Sequence, residues 1–199
     1  MRIVWDLCSG LGGFSEAFMR SNNYEVYRIE NNELLAGVQN TFIEDVTQWM
    51  DWVENFPQPH IILCSPPYRE FSTAFNAPKS KAQRQRIDYS PDMSVVEACL
   101  DIIDYVKPES WILENVSGAV SDFKKEPRLG NWYQRIGPFF FWGDYSGIAM
   151  LEDLHHFKSD VDPGKEDPLR ANKRALIPYP ISYAIYRMDR DQTSLLEWI

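Results

Sequence analysis

The sequence predicts an α/β fold on a mostly parallel sheet, and three observations carry that reading. Short apolar runs alternate along the chain with stretches of helical apolar spacing. The first such run ends in a glycine-rich turn that opens directly into a helical pattern. The chain is 199 residues long with 44% hydrophobic and 14% aromatic content, enough for one well-buried core with little left for a second domain.

Each element follows in order. RIVWDL (2–7) is the first strand and GFSEAFMRS (13–21) the helix after it. YEVYRIE (24–30) is the second strand; a short strand near 41–45 leads into a helix over 46–55. HIILCS (60–65) is the next buried strand, and 69–90 is a long polar loop, a length kept in compact domains mainly for function. Apolar residues at helical spacing mark a helix over 93–108, stopped by Pro108. SWILENV (110–116) is a further buried strand, and 139–150 reads as two strands about the turn pair Gly143-Asp144. Residues 155–174 read as loop, and 181–188 fits either a strand or a helix.

Composition narrows the function classes. No apolar run nears the ~20 residues needed to span a bilayer, and the N-terminus lacks signal-peptide features, so a cytoplasmic protein is expected. Cys8, Cys64 and Cys99 lack metal-ligand spacing, and His60, His155 and His156 have no acid or cysteine at such spacing, so no metal is expected and the histidines read as surface or capping residues. The net charge of −9 argues against indiscriminate adhesion to nucleic acid, yet residues 69–86 hold Arg69, Lys79, Lys81, Arg84 and Arg86 against Glu70 alone. That local surplus suits phosphate contact at one place; in the same loop Ser72 is a candidate to touch a nucleotide, and Phe71 and Phe75 fit base stacking and loop anchoring equally well.

DLCSGLGG (6–13) places glycines where backbone must turn tightly against a ligand, and an acid then ends each of the next two strands: Glu30, placed for ribose hydroxyls, and Asp45, placed for an adenine amino group. A glycine turn followed by two acids at successive strand ends suits an adenosyl ligand without phosphates, S-adenosylmethionine. The expected cofactor contacts are Asp6, Leu7, Cys8, Ser9, Gly10, Gly12, Gly13, Glu30, Asn31, Asp45 and Val46.

DLCSGLGGFSEAF resembles the Asp-Leu-Phe-Ser-Gly-x-Gly-Gly opening of cytosine-5 DNA methyltransferases. WILENV (111–116) resembles that family's Glu-Asn-Val motif, and RALIPYPISYAI (174–185) more weakly its terminal motif, which folds back beside the cofactor. The resemblance spans most of the chain in the family's order. It implies a Rossmann-like class I methyltransferase fold, a single catalytic domain over 1–199, S-adenosylmethionine, and DNA with its target base flipped from the stack. The chain departs from the family in three places. It has no good match to the Gln-x-Arg-x-Arg motif, Arg170, Lys173 and Arg174 being the nearest basic cluster, and no length for a separate target-recognition domain. Recognition would then fall to the 69–90 loop and the 151–175 segment. A monomer or weak homodimer is expected.

The third departure is chemical. Where the family has a Pro-Cys nucleophile, which adds to C6 of the ring, this chain has Pro67-Tyr68. A phenol is too little ionised near neutrality for that addition. Ser65-Pro66-Pro67-Tyr68 resembles instead the Ser/Asp/Asn-Pro-Pro-Tyr/Phe motif of amino-methylating DNA methyltransferases. There Ser65 and a carbonyl near Pro66 would accept the two amine hydrogens, and Tyr68 would stack on the flipped base. By resemblance Glu114 faces the base edge, donating to N3 if protonated or accepting from the amine if ionised. Serine in the first position favours cytosine N4. The alternatives are adenine N6, cytosine C5, and an inactive relative that binds nucleic acid.

Overall fold

A computed structural model describes residues 1–151, 153–154 and 163–196, with side chains through residue 191; His155 and His156 lie outside them. Seven strands form one sheet in the order β3-β2-β1-β4-β5-β7-β6. β1 (Arg2–Leu7), β2 (Tyr24–Glu30), β3 (Thr41–Ile43), β4 (Ile61–Cys64) and β5 (Ser110–Asn115) run parallel. β6 (Gln134–Ile136) and β7 (Phe139–Asp144) form a hairpin, and β7 pairs antiparallel to β5. This is the mostly parallel sheet with flanking helices that the sequence predicts.

Alternation along β1 shows how the sheet divides the core. Trp5 and Leu7 face one layer with Ile62, Cys64, Leu113 and the buried side of α3 (Ser94–Val106). Val4 faces the other with Val26, Leu63 and Phe141, under α1 (Glu16–Met19) and α6 (Tyr179–Leu196). α3 buries Val96, Cys99, Leu100 and Ile103, a stripe at helical spacing, and ends at Lys107 in the left-handed region just before Pro108. Ser182 Oγ of α6 donates to the Phe14 carbonyl (2.7 Å) and accepts from the Ala17 amide (2.9 Å), which ties the last helix to the first.

Several elements differ from expectation. Residues 46–55 form two 3₁₀ segments, Val46–Asp51 and Val53–Asn55, and not one α-helix. The hairpin turns at Gly137-Pro138, so Gly143 and Asp144 end β7 and do not join two strands. The loop over 69–90 contains α2 (Pro78–Gln85), and the polar stretch to 174 gives way to α5 (Arg170–Ala175). Residues 181–188 are helical, inside α6. Between β5 and the hairpin lies the short α4 (Val120–Phe123).

His60 is buried, not on the surface. Its Nδ1 accepts from Arg2 Nε (2.6 Å), so the ring proton sits on Nε2, facing Asp189 Oδ1 at 2.9 Å. Asp189 Oδ2 accepts from the Tyr24 hydroxyl (2.6 Å), and Arg2 also reaches Glu109 (3.0 Å). Burial, then the Arg2 charge, lower the imidazole pKa, so the folded state holds the ring neutral while the unfolded chain protonates it near 6.5. The unfolded state then binds more protons as acidity rises, and stability falls below about that pH. Between pH 6.5 and 5.5, thermal melts should show the wild type losing stability relative to a His60→Gln variant, a difference that isolates the imidazole from the other groups titrating there.

Candidate active site

β1 is the switch point of the sheet: the chain passes to β2 and β3 on one side, then to β4 and β5 on the other. In such sheets the crevice outside the strands' carboxyl ends receives ligands. A cavity of about 550 Å³ lies there, walled by the turn after β1, the ends of β2, β4 and β5, and residues 170–177.

The turn is shaped by what grips it. Cys8, Gly10 and Gly12 all have positive φ (56°, 53° and 76°), a region L side chains rarely occupy. Glu30 Oε2 accepts from the Gly10 amide at 2.8 Å, and its Oε1 accepts from the Asn32 amide at 3.0 Å. At Gly12 a Cβ would overlap the Arg28 guanidinium, whose Nη2 donates to the Gly12 carbonyl (2.7 Å).

The expected cofactor contacts divide in two. Cys8, Ser9, Gly10, Gly13, Glu30, Asn31, Asp45 and Val46 line the cavity. Asp6, Leu7 and Gly12 lie beneath or behind it: Asp6 and Leu7 are fully buried within β1, and Gly12 turns toward Arg28. Asp45 also caps the following 3₁₀ segment, its Oδ1 accepting from the Thr47 amide (2.8 Å).

Ser65, Pro66, Pro67, Tyr68 and Glu114 share the opposite wall with Arg69 and Ser72. Ser65 Oγ is shielded from solvent and has no hydrogen-bond partner among the described residues. Asn115 Nδ2 donates to the Pro66 carbonyl at 3.0 Å, so the end of β5 fixes the proline turn after β4. One lone pair of that carbonyl is therefore engaged.

The thiols lie apart from this wall. Cys64 and Cys99 are fully buried between β4 and α3, and Cys8 packs against the same cluster. The hydrogen bond with Cys99, with burial, pushes the Cys8 thiol up; burial raises Cys64; the bond with Cys64 raises Cys99. Thiols held this way are poor nucleophiles.

The basic loop is a seated strap. Of the two readings for Phe71, stacking on a base or anchoring the loop, the structure shows the second: it is 1% exposed and packs edge-on to Phe123 at 5.1 Å. Lys79 is not a free phosphate contact: its Nζ donates to the Gly118 carbonyl (2.6 Å) and Asp122 Oδ2 (2.7 Å). Arg84 lies over the Phe75 ring and donates to its carbonyl at 2.7 Å. Arg69, Lys81, Arg84 and Arg86 remain exposed. Gly118 permits the seating, since a Cβ there would overlap the Phe71 carbonyl. Gly118→Ala should lift the strap, and limited trypsin digestion should then cut at Lys79 and Lys81 several-fold faster than in the wild type.

Sequence reasoning missed Arg170 and Asn172 of α5, which line the cavity beside Gly10, and Phe14 and Ile29, which supply apolar wall. Basic spacing drew attention to the Arg170 cluster without locating it. Among the described residues no His, Cys, Asp or Glu group is arranged to hold a metal. No helix among them is long and apolar enough to cross a membrane.

Residues 2–136 match the sequence profile of the C-5 cytosine-specific DNA methylase. The chain belongs to that family. S-adenosylmethionine is the family's methyl donor. The cavity fits it: a gripped glycine turn, acids at the ends of β2 and β3, and an apolar wall suit an adenosyl group with no phosphates to neutralise. No curated protein matches the chain by sequence. Similar solved structures include a protein described as an E. coli prophage-encoded DNA modification methyltransferase (17% identity, TM-score 0.48, 72% of this chain and 46% of that one). A Spodoptera frugiperda DNMT2 variant is similar at 16% identity and TM-score 0.48, covering 84% of this chain and 61% of that one. A fibrillarin/Nop5p complex is more distant, at 10% identity and TM-score 0.43, with 71% of each chain covered. The chain thus spans 46% and 61% of the first two structures' lengths.

Proposed function

We propose that the chain is an S-adenosylmethionine-dependent DNA methyltransferase whose acceptor is the exocyclic amino group of cytosine. The observation that carries this is the Ser65 hydroxyl, shielded and unpartnered on the cavity wall, next to Tyr68 where the family has its thiol. The side chain lines the cavity, and rotation about its Cα–Cβ bond brings the hydroxyl to an entering amine without breaking a hydrogen bond.

The cofactor supplies an electrophilic methyl group; the chain's residues prepare the nitrogen. Ser65 Oγ accepts one amine hydrogen, and the free lone pair of the Pro66 carbonyl accepts the other. That draws the nitrogen lone pair out of the ring system and toward the methyl group. Tyr68 stacks on the base, worth ~1–3 kcal/mol per stacked base. One of the two amine hydrogens leaves the alkylated nitrogen as a proton along its hydrogen bond to Ser65 Oγ or the Pro66 carbonyl, and Glu114, at the end of β5 on the cavity lining, is the nearby acidic residue suited to receive it. Asn115 keeps the proline turn in place before the substrate arrives, so little reorganisation remains. Arg69, Lys81 and Arg86 on the exposed side of the strap are suited to phosphates flanking the target.

A second reading, transfer to ring carbon 5, is favoured by the family match itself. It requires a thiol to attack the ring, and Cys8 is the cysteine that lines the cavity. DNA carrying 5-fluorocytosine separates the two, because attack on C6 followed by methylation traps the enzyme covalently. No trapped complex is expected; a covalent adduct lost on Cys8→Ser would establish the ring-carbon route.

A further inference from the structure

Beneath the glycine turn lies a buried polar group that the methyl-transfer steps above do not use. Arg28 is 3% exposed, on the face of β2 that also carries Tyr24, Val26 and Glu30. β1 and β2 pair so that Asp6 stands beside Arg28. Arg28 Nε donates to Ser15 Oγ (2.9 Å), Ser15 Oγ donates to Asp6 Oδ2 (2.6 Å), and Arg28 Nη1 donates to the Gln39 carbonyl (3.1 Å). Nη2 holds the Gly12 carbonyl at 2.7 Å and lies 3.4 Å from Glu16 Oε2. Asp6 is fully buried, and its Oδ1 has no partner among the described residues. An arginine placed so deeply is costly unless its donors are used, and here they are spent on the turn and on the helix start that follows it.

We propose that Arg28 is a positioning residue for the cofactor: its planar fork fills the space left by the missing Cβ of Gly12 and holds the turn in its binding shape from below. Glu30, two residues along β2 on the same face, holds the Gly10 amide, so one strand grips both ends of the turn. Arg28 acts through the Gly12 carbonyl and Ser15, outside the cavity lining. The inference rests on the cofactor assignment.

A second consequence concerns acidity. Burial raises the Asp6 carboxyl to about 7, against the Ser15 hydrogen bond and the Arg28 charge, which pull it down. Glu30 also faces it and raises it; Cys8 and Cys64 are near neighbours, and Glu16 reaches the network through Arg28. Ionising Asp6 adds negative charge beneath the turn, outside the cavity lining, which favours a ligand of positive charge, so cofactor binding should tighten as pH rises through about 7. Removing the Arg28 charge should move that midpoint upward.

The test is S-adenosylmethionine binding by titration calorimetry between pH 6 and 8, with initial rates on DNA and thermal melts for each variant. Arg28→Met should raise Kd by roughly tenfold, the scale of one charged hydrogen bond. KM for the cofactor should follow it, kcat at saturation should change little, and the pH midpoint should rise. Arg28→Lys, which keeps the charge and one donor, should restore part of the affinity and the wild-type midpoint. Wild-type affinity and midpoint in a folded Arg28→Met would overturn the proposal, and if that variant fails to fold, the same results in Arg28→Lys and Ser15→Ala would do so. A wild type that binds no S-adenosylmethionine would instead refute the cofactor assignment.

Discussion

Ser65→Ala is expected to lower methyl transfer by about a hundredfold or more, the effect of removing one preorganised polar group from a reacting centre. Folding and cofactor affinity should be unaffected. The reason is specific to this position: the hydroxyl has no partner among the described residues, so its removal breaks no bond seen there and leaves only a small space in the wall. A buried hydroxyl without a partner costs the folded protein about 1–3 kcal/mol. Ser65→Ala should therefore melt at the wild-type temperature or slightly above it while turning over far more slowly. A Ser65→Ala variant with wild-type rate would remove the hydroxyl from the mechanism. Ser65→Cys, which keeps a weak acceptor, should fall between the two.

Glu30→Ala is expected to weaken S-adenosylmethionine binding by roughly a hundredfold. Both carboxylate oxygens are committed to backbone amides, Gly10 on the turn and Asn32 beyond the strand, and each charged hydrogen bond is worth ~1.5–3 kcal/mol. Losing both releases the Gly10 end of a turn held at positive φ, leaving the Arg28 bond to the Gly12 carbonyl as its remaining side-chain grip. Glu30→Gln keeps an acceptor oxygen for the Gly10 amide and should lose less. Calorimetry of the two variants measures the difference directly; equal affinity in wild type and Glu30→Ala would mean that the turn holds its shape without the acid.

Much of this site was legible because it follows from local pattern. The glycine turn, the acid closing β2 and the Ser-Pro-Pro-Tyr run each sit at a strand end, and a parallel sheet brings strand ends together. α3 was readable from its apolar stripe. α2 was not, since Pro78–Gln85 buries no side chain and so carries no periodicity to read. The hairpin turn was misplaced because Gly143-Asp144 has turn composition, whereas the apolar run Phe139–Trp142 continues the strand through it. Lys79 reads as outward from the charge of its neighbours and Phe71 as either stacking or anchoring, but their placement depends on Phe123, Gly118 and Asp122, 39 or more residues away. The meeting of Cys8, Cys64 and Cys99, and the grip of Arg28 on Gly12, likewise arise only from the pairing of separate strands and helices.

The identity of the methylated atom bears most directly on this account. DNA incubated with the protein and S-adenosylmethionine, digested to nucleosides and separated by mass spectrometry, should yield N4-methylcytosine. Product consisting of 5-methylcytosine alone would contradict amine transfer at the Ser65 wall and return the chain to the ring-carbon chemistry of its family.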